Sequence, residues 1–173
     1  MKKTLSIIFI FMLSVLMLSA EGAAELQADP NVPNIQEKED LLFMYEEERL
    51  AGDVYTALAG QWDIPVFSNI AASEQTHMNA VGLLISAYEL DLPDESEPGS
   101  YAFKELENLY SDLVRQGSSS LERALAVGAS IEKQDIADLE RRMERTDKED
   151  ILITYERLRR GSINHLRAFT RTP

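Results

Sequence analysis

The chain has 173 residues, 45% hydrophobic and 27% charged, with 8 glycines, 6 prolines and no cysteine. That is enough for one domain with a substantial core, and too rich in aliphatic residues for extensive disorder. The lack of cysteine excludes disulfide scaffolds, zinc ribbons, thiol catalysis and lipoprotein anchoring. Seventeen basic against 30 acidic residues give a formal charge of −13, which argues against sequence-independent nucleic-acid binding. Only 2 histidines are present, and their positions carry much of the functional argument.

Lys2 and Lys3 precede an apolar run from Leu5 to Leu18, broken only by Ser6 and Ser14. A basic start, a short apolar stretch and small residues after it predict a secretory signal peptide over Met1–Ala24. Gly22 and Ala24 would be the small residues at the cleavage site, with Ala20 as an alternative. A run of 14 residues is short for about 30 Å of hydrocarbon, so no stable membrane span is expected after cleavage. Removing the peptide takes away two lysines and Glu21, leaving 15 basic and 29 acidic residues, or −14. The expected destination is the periplasm or the exterior.

Residues 25–34 hold Pro30 and Pro33 and read as an extended lead-in to a single domain over 35–173. From Ile35 to about Trp62 the apolar residues recur at helical spacing. After a turn at Asp63 and Pro65, Ser68 is the expected N-cap of a second helix to about Leu90. Asp91–Tyr101, acidic with prolines and a glycine, reads as a loop, followed by a short helix near Phe103–Arg115 that Gly117 ends. Ser119 with Glu122 predicts a capping box opening a third long helix to about Arg145, and Thr146 with Glu149 a fourth to about Thr170. Strand and hairpin signals are nearly lacking. The prediction is an all-α four-helix bundle with one long crossover carrying an extra short helix, the connectivity of ferritin-like bundles.

Each apolar stripe is interrupted near its middle by a metal-ligand type. In heptad positions the first helix reads Leu41, Met44, Glu48, Ala51, Tyr55, Leu58, and the second Ile70, Glu74, His77, Val81, Leu84. The third gives Leu125, Gly128, Glu132, Asp135, Leu139, and the fourth Tyr155, Leu158, Ser162, His165, Phe169. Burying several carboxylates near one another is costly unless something offsets their charge. Two divalent cations would do so, since Glu48, Glu74, Glu132 and Asp135 carry four negative charges and imidazole suits iron. Glu74 and His77 lie three residues apart and so share a helical face. The competing reading is a metal-free polar network in the core. Glu46 and Glu47, beside Glu48, are expected to be solvated. The arginines of the last helix, including Arg159 and Arg160, are expected to pair with acidic faces of other helices.

One Glu from each of two helices plus Glu-x-x-His from the others is the ferritin-like dimetal pattern. Glu48 and Glu132 match the single glutamates, and Glu74-Gln-Thr-His77 matches one full pair. Tyr55 resembles the tyrosine that accompanies the first-helix ligand of ferritins. The segments EEERLAGDVY, NIAASEQTHMNAV, GASIEKQDIADLE and RGSINHLRAF resemble the ferritin-like DUF2202 family, over roughly Leu41–Phe169. One position departs from the pattern: Ser162 stands where the fourth-helix glutamate belongs, and Asp135 is the candidate replacement.

The resemblance implies metal ions, two irons or manganese, held by Glu48, Glu74, His77, Glu132, Asp135 and His165, with Tyr55 as a supporting donor. It further implies oxidation of Fe²⁺ or reaction with O₂ or peroxide, a ferroxidase- or peroxidase-like oxidoreductase, and it allows an oligomer. The alternative from a different class is a metal-free secreted helical bundle acting through protein contacts.

Overall fold

The computed structural model describes residues 32–94 and 97–172, which form five helices and, among these residues, no strand. The predicted signal peptide lies outside them. The helices are α1 (Ile35–Gln61), α2 (Pro65–Ala87), α3 (Lys104–Gly117), α4 (Leu121–Met143) and α5 (Glu149–Arg171). Helix α1 packs chiefly on α2 and α4 chiefly on α5; α2 also meets α5 and α1 meets α4, while the α1/α5 and α2/α4 pairs stay apart. The four long helices therefore form a ring in the order α1, α2, α5, α4, built from two hairpins with tight turns. The crossover from α2 to α4 carries α3, which lies against α1 and α4.

Most elements stand within two or three residues of their predicted places, and the differences have local causes. Helix α2 opens at Pro65 rather than after Ser68, because proline at the first position has no N–H to leave unsatisfied. Ser68 is already inside the helix and donates to the Pro65 carbonyl. Ser120, not Ser119, caps α4 by accepting from the Arg123 amide. No capping box forms at Thr146, since its hydroxyl donates to Glu37 Oε1 at 2.6 Å and α5 begins after Lys148. Helix α2 ends at Ala87, where Glu89 turns to φ 56° and the Leu90 amide returns to the Ile85 carbonyl.

The core comes in two apolar parts. One gathers Val54, Tyr55, Leu58, Phe67, Ile70, Leu125, Ile131 and Phe169; the other gathers Leu41, Met44, Val81, Ile85, Leu139, Ile151, Tyr155 and Leu158. Every long helix contributes to both, with a polar residue between its two contributions. The polar layer at mid-bundle is thus a property of all four helices at one level.

Glu46–Arg49 are all buried, which corrects the expectation that Glu46 and Glu47 are solvated. Glu46 accepts the Ala102 and Phe103 amides at 2.9 and 3.1 Å, supplying to the start of α3 the side-chain cap that Phe103 cannot provide. Arg49 donates to the carbonyls of Asp94 (2.9 Å) and Ser100 and lies 4.6 Å over the Tyr101 ring. One turn of α1 therefore fixes the crossover from two sides. Of the arginines in α5, Arg159 reaches Glu140 on α4 at 3.3 Å as expected, but it and Arg160 also pair with Glu156 of their own helix. Among the described residues, no helix is long and apolar enough to cross a membrane.

We predict that Arg49→Ala lowers stability by about 2 kcal/mol, because two carbonyls lose a charged donor. Amide exchange at Ala102 and Phe103 should accelerate more than exchange in α5. Uniform acceleration across both regions would contradict this anchoring role.

Candidate metal centre

All six predicted ligand residues, Glu48, Glu74, His77, Glu132, Asp135 and His165, are buried in the layer between the two apolar clusters. Glu74 is at its centre. Its Oε2 lies 2.9 Å from His77 Nδ1 and its Oε1 lies 2.9 Å from His165 Nδ1. His77 Nδ1 is also 3.2 Å from Glu48 Oε2, and His165 Nδ1 is 3.5 Å from Glu132 Oε2. The two imidazoles stack with ring centroids 5.3 Å apart. The cluster therefore has two halves: Glu48 with His77, and Glu132 with His165, joined by one carboxylate.

Local structure fixes these positions. The three-residue spacing of Glu74 and His77 brings both to one face of α2. Helix α5 can pass close to the His77 ring because residue 161 is glycine; a Cβ there would stand 2.4 Å from His77 Nε2. His165 Nε2 is 2.9 Å from the Ser73 hydroxyl, which leaves Nδ1 turned into the cluster. Tyr55 donates to Glu132 Oε1 at 2.6 Å, orienting that carboxylate from the side of the upper apolar cluster. Asp135 shares with Glu48, Glu74 and Glu132 the wall of a cavity of about 10 Å³, room for one water-sized sphere.

Ser162 occupies the level at which the ferritin pattern places its fourth-helix glutamate. It is buried, its hydroxyl donates to the Leu158 carbonyl at 2.9 Å, and hydrogen bonding to Asp135 lowers that carboxyl's affinity for a proton. The carboxylate that α5 lacks is thus matched by one from α4, beside the hydroxyl standing in its place.

The electrostatics are those of an over-acidic interior. Burial pushes Asp135 up to about 8, with the charges of Glu74 and Glu132 adding to it and Ser162 opposing. Burial and the Glu74 charge put Glu132 at about 7, against the nearby His165 imidazole and the hydrogen bond from Tyr55. Glu48 is raised well above the carboxylate range by burial, then by Asp135 and Glu74. Burial would raise Glu74 too, but the imidazoles of His165 and His77, each 2.9 Å away, outweigh it and hold it at about 2. His165 would be lowered by burial, yet Glu132 and Glu74 carry it up to about 10.

Glu48 Oε1, Glu74 Oε1, Asp135 Oδ1 and His165 Nδ1 are buried without an aligned hydrogen bond. The Glu74–His165 approach is close but poorly directed for an N–H donor, so proximity there does not satisfy either atom. Two ligands at right angles around an ion at about 2.1 Å stand about 3.0 Å apart. The separations from 2.9 to 3.5 Å fall in that range. Glu74, His77 and His165 each offer a ligand atom within 4.8 Å of the others, so this buried group can hold a metal ion.

Two participants were not read from the sequence. Ser73, the partner of His165, has only its place beside Glu74 to mark it. Glu47 lines the same small cavity as Glu48, Glu74, Glu132 and Asp135, buried with its Oε2 unpartnered. Burial and Asp135 push its carboxyl up to about 8, against Arg142 and Arg141. Its signal was the acidic triplet, of which one member was expected to face inward.

In the metal-free protein, Glu47, Glu132 and Asp135 hold protons that the unfolded chain has lost above about pH 4. The folded state then binds more protons, so stability falls as pH rises from 5 to 8. His165 acts in the same direction: its contribution is full below about 6.5 and is lost as pH rises through about 10. Glu74 has the opposite sign, but its window lies between about 2 and 4.5. Melting of chelator-treated protein across pH 5–8 should show a falling midpoint; a rising one would contradict this account.

Two comparisons bear on the identity of the chain. The family described as an uncharacterized protein domain, DUF2202, matches residues 37–172. The uncharacterized protein MJ0754 of Methanocaldococcus jannaschii is 49% identical over 137 residues, covering 79% of this chain and 74% of that one. The crystal structure of that hypothetical protein superposes with a TM-score of 0.79 at 48% identity, covering 80% of each chain. A match over nearly the whole helical region, joined to a shared fold at this identity, makes the chain a member of the DUF2202 family.

Proposed function

We propose that the protein is an exported, ferritin-like four-helix protein that carries a dinuclear metal centre, iron or manganese, in its polar layer. The observation that carries this reading is Glu74, whose two oxygens face two different imidazoles at 2.9 Å each. A carboxylate so placed would be available to both halves of the cluster at once. Glu48 and His77 serve the first half, Glu132 and His165 the second, and Asp135 completes the acidic wall. The ring of helices with a single crossover supports the ferritin-like assignment. The basic and apolar N-terminal residues support export to the periplasm or beyond.

When bound, such a pair of ions supplies redox chemistry toward O₂ or peroxide, or the oxidation of Fe²⁺ itself. The chain's own residues would prepare for it in definable ways. Tyr55 fixes Glu132 in orientation, and Ser73 sets which nitrogen of His165 faces the ions. Ligands must be unprotonated, so binding displaces the protons that burial keeps on the carboxylates and on His165.

Anaerobic loading of the mature protein with Fe²⁺, desalting and elemental analysis should give about two irons per chain. The double variant His77→Ala/His165→Ala should lose both, and Glu74→Gln, which keeps the shape but not the second anionic oxygen, should hold fewer than two. Saturating Fe²⁺ or Mn²⁺ should also raise the melting midpoint, by about 2.7 kcal/mol of stability at a hundredfold excess over Kd. No binding, or binding equal to that of the double variant, would overturn the metal reading and favour a bundle acting through protein contacts.

A further inference from the structure

A pocket of about 450 Å³ opens at the surface between α1, α3 and α4. Its walls include Phe43, Leu106 and Leu109, with Glu105 and Asp138 adding acid. Two residues, Glu47 and Ile131, line both this pocket and the small cavity bounded by Glu48, Glu74, Glu132 and Asp135. Glu47 thus stands in the partition between solvent and the buried cluster. Its side chain is buried and its Oε2 has no hydrogen-bond partner, although it lies within a turn of well-anchored neighbours. An unpartnered carboxyl oxygen at that place costs free energy that nothing in the packing of α1 returns.

We propose that Glu47 is a relay ligand, which takes a divalent cation from the α1/α3/α4 pocket and passes it to Asp135 and Glu48. The inference rests on the reading of the buried cluster as a metal centre. The chemistry of the pocket suits it: apolar walls lower the local dielectric and focus the field of the few carboxylates present. A second opening, of about 90 Å³ between α1 and α2, also reaches Glu48 and Glu74. That one is lined by Arg49 together with Asp53, 3.8 Å apart, so that the two charges at its mouth offset one another. Both openings carry acid; the α1/α3/α4 pocket shares with the small cavity a carboxylate outside the six, Glu47, and it is by that residue that the cation enters.

The test is the time course of loading. Metal-free protein is mixed anaerobically with Fe²⁺, uptake is stopped at intervals with excess chelator, and iron per chain is counted after desalting. Glu47→Gln should slow uptake on the order of tenfold or more while the final iron content matches wild type. Ser130→Trp, an exposed position at the rim of the same pocket, should slow uptake as well, and Gln75→Trp, at the α1/α2 opening, should not. Unchanged uptake in Glu47→Gln, or slowing by Gln75→Trp in place of Ser130→Trp, would overturn the relay while leaving the metal centre intact. A lower final iron content in Glu47→Gln would make Glu47 a resident ligand and overturn the relay too. A wild-type protein that takes up no iron would overturn the centre itself, and the relay with it.

Discussion

The structure depends on charge confined at one level of the bundle. Four carboxylates and two imidazoles lie between two apolar clusters, and each ionised group there has exchanged water for neighbours of mostly the same sign. Without cations the arrangement is held together by protons. His165 keeps its charge and pairs with Glu74, while Asp135 and Glu132 are driven toward their neutral forms. This is a way to fold an over-acidic interior, and it leaves oxygens such as Glu48 Oε1 and Asp135 Oδ1 without partners. A core selected for stability alone would fill the same level with leucine.

The rest of the bundle holds that layer in place from its two ends and from one side. Above it, Tyr55, Phe67 and Phe169 pack ring against ring and the Tyr55 hydroxyl reaches into the layer. Below it, Asp40 pairs with Arg142 and Arg145, and Glu37 joins Thr146, tying the start of α1 to the α4–α5 turn. At the side, Arg49 and Glu46 pin the crossover so that α3 covers the α1/α4 seam. These contacts join elements far apart in sequence, so the spacing between the polar side chains of the layer is set by the whole domain.

The sequence was most legible where one helix alone decides the outcome. Periodicity placed the helices, and the interruption of each stripe placed Glu48, Glu74, His77, Glu132, Asp135 and His165 at one level, where they are found. Legibility ended where a second helix decides. The capping signals at Ser119 and Thr146 are genuine local patterns, but the Thr146 hydroxyl is drawn to Glu37, 109 residues away in the chain. Glu46 and Glu47 looked solvated because an acidic triplet on one helix must point in three directions. Nothing local reveals that α3 and α4 wait in two of them. Ser162 was read as a gap in a pattern, and only the packing of α5 on α4 brings it to Asp135.

The four consecutive residues 46–49 all lie buried, and each faces something different: the start of α3, the α4 partition, the polar layer and the crossover. Adjacent positions on a helix are separated by about 100° of rotation, so α1 is enclosed on every side at this turn. A helix with one buried stripe can tolerate a small rotation about its axis, since one apolar residue replaces another. Helix α1 cannot, because a shift by one residue would bring Arg49 into the place of Glu48, a cation among the histidines. The register of α1 is therefore encoded by charge identity, and this single turn works as the indexing mark that aligns the whole bundle.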